Sequence, residues 1–170
     1  SKLEFGKYYH IYNHGCGGRQ LFAKPDNYKY FLSLYDKYID PIAETYAWCL
    51  MPNHFHLLVQ IRPQNEINVD SLANPVRDKN PDRVNVLKQP SFYFSSLFNA
   101  YSQALNKNLG CWGNLFQRPF KRIEVTGEKH FRNLVVYIHT NPVHHGFTND
   151  CYGYPWTSYG SILSLKPSKI

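Results

Sequence analysis

Hydrophobic positions along the chain fall into short segments with two alternating periods. Residues 8–14 (YYHIYNH) are rich in β-formers and run into Gly15-Cys16-Gly17-Gly18, which predicts a strand followed by a turn or a close backbone approach. Pro25 suits a first helical position, and Tyr28, Phe31, Leu32, Tyr35, Tyr38 and Ile39 then repeat along one helical face, predicting a helix over residues 25–40. Residues 44–50 (ETYAWCL) and 54–61 (HFHLLVQI) flank the turn Met51-Pro52-Asn53 and predict a β-hairpin.

Residues 63–90 break the pattern, with four prolines, alternating charges and no aromatic residue, and predict an exposed insertion. Beyond it, Ser91 is the expected N-cap of a second helix carrying Phe94, Leu97, Phe98, Tyr101 and Leu105 and ending near Gly110. Residues 120–125 (FKRIEV) read as a fourth strand. Thr126 then caps a third helix whose core face is Phe131, Leu134, Val135 and Ile138 and which Pro142 ends. The order β-α-β-β-α-β-α, without internal repeats, predicts an α+β fold: a ferredoxin-like (split βαβ) antiparallel sheet with helices packed on one face.

Composition narrows the partners. With 170 residues, 43% of them hydrophobic, the chain is expected to form a single domain, 1–170, around a substantial core. No run approaches the roughly 20 apolar residues of a membrane span, and a cytoplasmic, non-membrane protein is expected. Cys16, Cys49, Cys111 and Cys151 form no CxxC pair and are expected to be buried and free. The formal charge of +7 favours a polyanionic partner, nucleic acid ahead of membrane, and residues 101–170 concentrate it with eight basic against three acidic side chains.

Several residues carry candidate chemistry. His54 and His56 leave one strand face side by side, as a chelating pair or as two hydrogen-bonded core histidines, while Phe55, Leu57, Val59 and Ile61 point the other way. Tyr137 shares a helical stripe with Asn133 and Asn141; Asn141 also reads as a C-terminal cap ahead of Pro142. Residues 112–122 (WGNLFQRPFKR) interleave Trp112 and two Phe with Arg118, Lys121 and Arg122, a mixture that stacks bases while neutralising phosphates, or else an ordinary loop into the fourth strand. Arg19, in the glycine loop, is a weaker candidate for a phosphate contact.

Taken in order, NHGCGGRQLF (13–22), WCLMPNHFHLLV (48–59), GNLFQRPFKRIEV (113–125), YIHTNPVHHGF (137–147) and YPWTSYGSIL (154–163) resemble the HUH-type single-tyrosine transposases, and more narrowly the REP-associated tyrosine transposases. The resemblance covers nearly all the chain except 63–90, which has no counterpart in it. It implies a C-terminal catalytic helix with Tyr137 as nucleophile, and a divalent metal, Mg²⁺ or Mn²⁺, on His54, His56 and Asn141. It further implies bacterial, nucleoid-associated action on single-stranded or hairpin DNA, by a monomer or homodimer, through a 5′-phosphotyrosine. A non-catalytic nucleic-acid-binding module on the same fold is the alternative, and a metal-dependent hydrolase a third.

Overall fold

A computed structural model describes residues 2–72 and 86–164. Four strands, β1 (Tyr8–His14), β2 (Ala43–Met51), β3 (His54–Ile61) and β4 (Lys121–Glu124), form one sheet in the order β2-β3-β1-β4. Every neighbouring pair is antiparallel, and the register sets Tyr12 opposite His56 and His14 opposite His54. The helices are α1 (Pro25–Tyr38), α2 (Pro90–Leu109), α3 (Glu128–His144) and the short α4 (Tyr159–Leu163). The expected ferredoxin-like α+β order is therefore present.

The strand period divides the core in two. Phe55, Leu57, Val59 and Ile61 of β3 join Tyr9 and Ile11 of β1 on one face, where Phe31 and Tyr35 of α1 and Phe94, Leu97 and Tyr101 of α2 cover them. Burying each such side chain stabilises the fold by about 1.5–3 kcal/mol before ordering costs are subtracted. The opposite face holds a smaller cluster in which Ala47, Cys49, Met51 and Leu58 meet Leu134 and Ile138 of α3. The expectation that the helices pack on one face is thus corrected: α3 lies on the histidine face, because Leu134 and Ile138 find their apolar partners in Ala47, Cys49 and Met51 of β2 and Leu58 of β3.

Other boundaries differ locally. The second helix starts at Pro90 with Gln89 as N-cap, so Ser91 lies inside it; Pro90 at the first position loses no helical hydrogen bond. Gly127 with φ 77°, rather than Thr126, precedes α3. Pro142 does not end α3, which continues to His144; in the last turn a missing N–H forfeits one bond and the chain carries on. The exposed insertion expected at 63–90 falls in large part on 73–85, outside the described residues. Its first part departs from that expectation, since Ile67 and Leu72 are buried in the main core. Only Cys49 of the four free cysteines is buried; Cys16 is exposed and the other two half-buried.

Candidate active site

The hairpin turn between β2 and β3 starts β3 at His54, and strand alternation then puts His54 and His56 together beneath α3. Both are buried, at 1% and 4% exposure. His54 Nδ1 lies 2.7 Å from Asn53 Oδ1, an oxygen that only accepts, so the ring donates from Nδ1 and keeps its lone pair on Nε2. That Nε2 has no partner among the described residues, and neither has the amide Oδ1 of Asn141, itself only 1% exposed. Two buried acceptors with no donor between them carry an uncompensated desolvation cost, which a shared cation removes.

His56 is held differently. Its Nδ1 lies 2.9 Å from Nε2 of His10, and the two rings stack at 5.1 Å. One ring must donate to the other, so this contact couples their tautomers. His14 stacks on His54 at 4.8 Å, and His145 meets the same ring edge-on at 4.6 Å. Tyr137, Asn141 and His145 recur every four residues, one stripe of α3 and its end, and the Tyr137 ring stands edge-on to His56 with centroids 5.4 Å apart. Tyr137 is 45% exposed, at the mouth of a cavity of about 380 Å³ that His10, Tyr12, His14, His54, His56 and His145 also line.

Burial sets the charge of this cluster. Loss of solvation pushes the imidazolium form of His56 down to about 2, with His10 and His54 adding repulsion. His54 is lowered to about 4, again first by burial, with the nearby Asn141 amide opposing the fall. His10 is lowered to about 4 for the same reason. All three rings are therefore neutral at pH 7, the state a metal ligand requires. Among the described residues no group of three or more His, Cys, Asp and Glu is arranged to hold a metal. Beside the two histidines, the unpartnered Asn141 Oδ1 is a third donor, an oxygen, available to an ion. The residues present fit a divalent ion.

The remaining candidates separate. Arg19 donates to Asn106 Oδ1 at 2.8 Å, to Cys111 Sγ at 2.9 Å and to the Asn114 carbonyl at 3.5 Å. The guanidinium expected to contact a phosphate braces the glycine loop against the segment after α2. Trp112 is 92% exposed and partnerless among the described residues, as a stacking platform needs. The basic run splits by strand alternation: Lys121, opposite Tyr12, belongs to the histidine face, whereas Arg122, opposite Ile11, belongs to the α2 face with Arg118. His10, His14 and His145 were not singled out from the sequence. The signals were the period-two pattern of HIYNH in β1 and the spacing of His145 four residues after Asn141.

The fold and this cluster place an HxH pair of an antiparallel ferredoxin-like sheet under a helix-borne tyrosine. The chain is similar in sequence and in fold to REP-associated tyrosine transposases. No family model matches it. A curated Haemophilus influenzae protein described as a REP-associated tyrosine transposase is 29% identical over 118 residues, 68% of this chain and 58% of that protein. The chain thus spans less than two thirds of that relative. A solved REP-associated tyrosine transposase bound to a REP hairpin superposes with a TM-score of 0.65 at 16% identity, covering 98% of this chain and 86% of that one. That likeness is one of fold. A transposase structure from Deinococcus radiodurans aligns with a TM-score of 0.43 at 18% identity, over 83% of this chain and 91% of its own.

Proposed function

We infer that this protein is a metal-dependent single-strand DNA endonuclease and strand transferase, transposase-like, acting on hairpin-forming repeat DNA through a 5′-phosphotyrosine on Tyr137. The observation that carries the reading is the pair of buried, donorless acceptors, His54 Nε2 and Asn141 Oδ1, one helical turn from an exposed tyrosine. The similarity to REP-associated tyrosine transposases, one of them solved with a REP hairpin, supports the substrate class.

His54, His56 and Asn141 would hold a divalent ion, Mg²⁺ or Mn²⁺. When bound, such an ion supplies Lewis-acid polarisation of a non-bridging phosphoryl oxygen. Everything else falls to the chain. Asn53 and His10 fix the ring orientations of His54 and His56. Tyr137 Oη attacks phosphorus: an O–P bond to the phenol forms, the P–O3′ bond breaks, the phenolic proton leaves through the open mouth of the cavity, and the released 3′ oxygen takes up a proton. The energy of the phosphodiester is conserved in the adduct, so the 3′-hydroxyl of another strand can reverse the step without ATP. Lys121, on the histidine face, would bind the strand near the site by charge, and exposed Trp112 would offer a stacking surface.

The test is cleavage of an end-labelled hairpin with single-stranded flanks in Mg²⁺ or Mn²⁺, comparing wild type, His56→Ala and Tyr137→Phe. Both variants should lose cleavage, and Tyr137→Phe should retain hairpin and metal binding. Substantial cutting by Tyr137→Phe would assign the chemistry to metal-activated water and overturn the reading.

A further inference from the structure

Residues 154–158 (YPWTS) take no part in lining the histidine cavity, yet they are held on both sides of the sheet. They run antiparallel along the outer edge of β2, where the Leu50 N–H donates to the Trp156 carbonyl at 2.9 Å, the Ser158 N–H donates to the Trp48 carbonyl at 3.0 Å, and Thr157 pairs with Cys49. Tyr154 Oη donates to the Leu50 carbonyl at 2.7 Å. On the α1 side, the Trp156 ring stacks on Tyr28 with centroids 4.3 Å apart. On the α3 side, Ser158 Oγ lies 2.8 Å from His139 Nε2, and both residues are buried, at 5% and 4% exposure.

With the ring neutral, one proton arrangement satisfies this pair. His139 Nδ1 lies 2.7 Å from the Val135 carbonyl, which only accepts, so Nδ1 carries the proton and Nε2 keeps its lone pair. The single hydroxyl proton of Ser158 therefore goes to Nε2, and its Oγ accepts from the Trp48 N–H at 2.9 Å. A chain of three hydrogen bonds, from Trp48 to Ser158 to His139 to the Val135 carbonyl, thus ties β2 to α3. Its strand end lies one residue before Cys49, which stands opposite His56 in the pairing of β2 with β3.

The place of His139 on the helix gives this chain its consequence. Residues two apart on a helix point about 200° apart. Tyr137 and His139 therefore flank the buried stripe of Leu134, Ile138 and Asn141 from opposite edges, Tyr137 over the histidine cavity and His139 toward β2. Leu134 and Ile138 seat the helix on Ala47, Cys49 and Met51 by apolar contact, which is non-directional and tolerates rotation about the helix axis. The bond to Ser158 does not, since such a rotation draws Nε2 away from Oγ and swings Tyr137 at the same time. We propose that His139 and Ser158 are positioning residues: their hydrogen bond sets the rotation of α3, and with it the placement of Tyr137 and Asn141 over His54 and His56. This rests on the DNA-processing function inferred above.

The experiment compares the whole wild-type protein with Ser158→Ala, Ser158→Thr and a control, Tyr35→Phe, which removes the 2.8 Å hydrogen bond between Tyr35 and Thr45 on the α1 side. Each is assayed well below its melting temperature for Mn²⁺ affinity by electron paramagnetic resonance, for hairpin affinity, and for the single-turnover rate of Tyr137 adduct formation with hairpin and Mn²⁺ saturating. Ser158→Ala should slow adduct formation and weaken Mn²⁺ binding about tenfold each, with hairpin affinity unchanged. Ser158→Thr, which keeps the hydroxyl, should restore most of both. Tyr35→Phe should match wild type in both, even where its melting temperature falls as far as that of Ser158→Ala. If Ser158→Ala does not fold, His139→Asn, whose amide can replace Nδ1 but does not reach Ser158, should show the same two losses. Wild-type rate and Mn²⁺ affinity in the variant lacking the bond, or equal losses in Tyr35→Phe, would reduce the bond to a stabilising contact and overturn the positioning role alone. If wild type itself forms no adduct, the functional reading falls and this inference with it.

Discussion

The His10–His56 contact makes a testable claim about a single hydrogen bond. If His56 presents Nε2 to a metal, its Nδ1 must carry the proton and donate to His10, a partner buried at 8% exposure. His10→Phe keeps a ring of similar volume and removes the acceptor. Mn²⁺ affinity, read by electron paramagnetic resonance, should fall about tenfold or more while the melting temperature changes little. His10→Gln, which can still accept, should recover part of the loss. The same residues set the acid limit of the fold. His10, His54 and His56 have folded pKa values lowered to about 4, about 4 and about 2, against an ordinary 6.5. Above pH 6.5 neither state binds these protons. As pH falls below 6.5 the unfolded chain takes them and the native one does not, so stability drops with pH by at most about 1.4 kcal/mol per unit per histidine, and His10 and His54 cease to contribute below about 4. Urea midpoints between pH 7 and 4 should show this, and His10→Phe should show a shallower decline than wild type.

At the scale of elements, legibility followed the period of each pattern. The bounds of β1 and β3 could be read directly because alternation over seven or eight residues is unambiguous, and the same alternation placed both histidines on one face. Helix ends were less legible: Ser91 and Thr126 have capping chemistry, but Pro90 and Gly127 have the backbone conformations that begin the helices. What no local pattern contains is register. His10 and His56 are 46 residues apart, and only the pairing of β1 with β3 brings them together. The bracing contacts of Arg19 were illegible for the same reason, since its partners lie 87 to 95 residues away. As a brace, Arg19→Ala should lower stability by about 1–2 kcal/mol in urea unfolding and leave the salt dependence of DNA binding unchanged. Lys121→Ala should do the reverse, reducing the log–log salt slope by about 0.7 with little change in stability, since its side chain is exposed.

For the whole molecule, one sheet divides labour between its faces. The α1 and α2 side supplies most of the apolar burial, and the α3 side gives up apolar packing to hold a neutral histidine cluster beneath Tyr137. In this chain Tyr137 stands against its own His56, so the candidate nucleophile and the candidate ligands meet within one chain. The central claim is that Tyr137 becomes covalently joined to DNA, and one measurement addresses it directly. Wild-type protein is incubated with a flanked hairpin and Mn²⁺, denatured and digested, and the peptide containing Tyr137 is examined by mass spectrometry. The account predicts a nucleotide attached through a 5′ phosphate to Tyr137, with a free 3′-hydroxyl on the other fragment. Cleaved DNA with that peptide unmodified, or an adduct mapping to a different tyrosine, would contradict it.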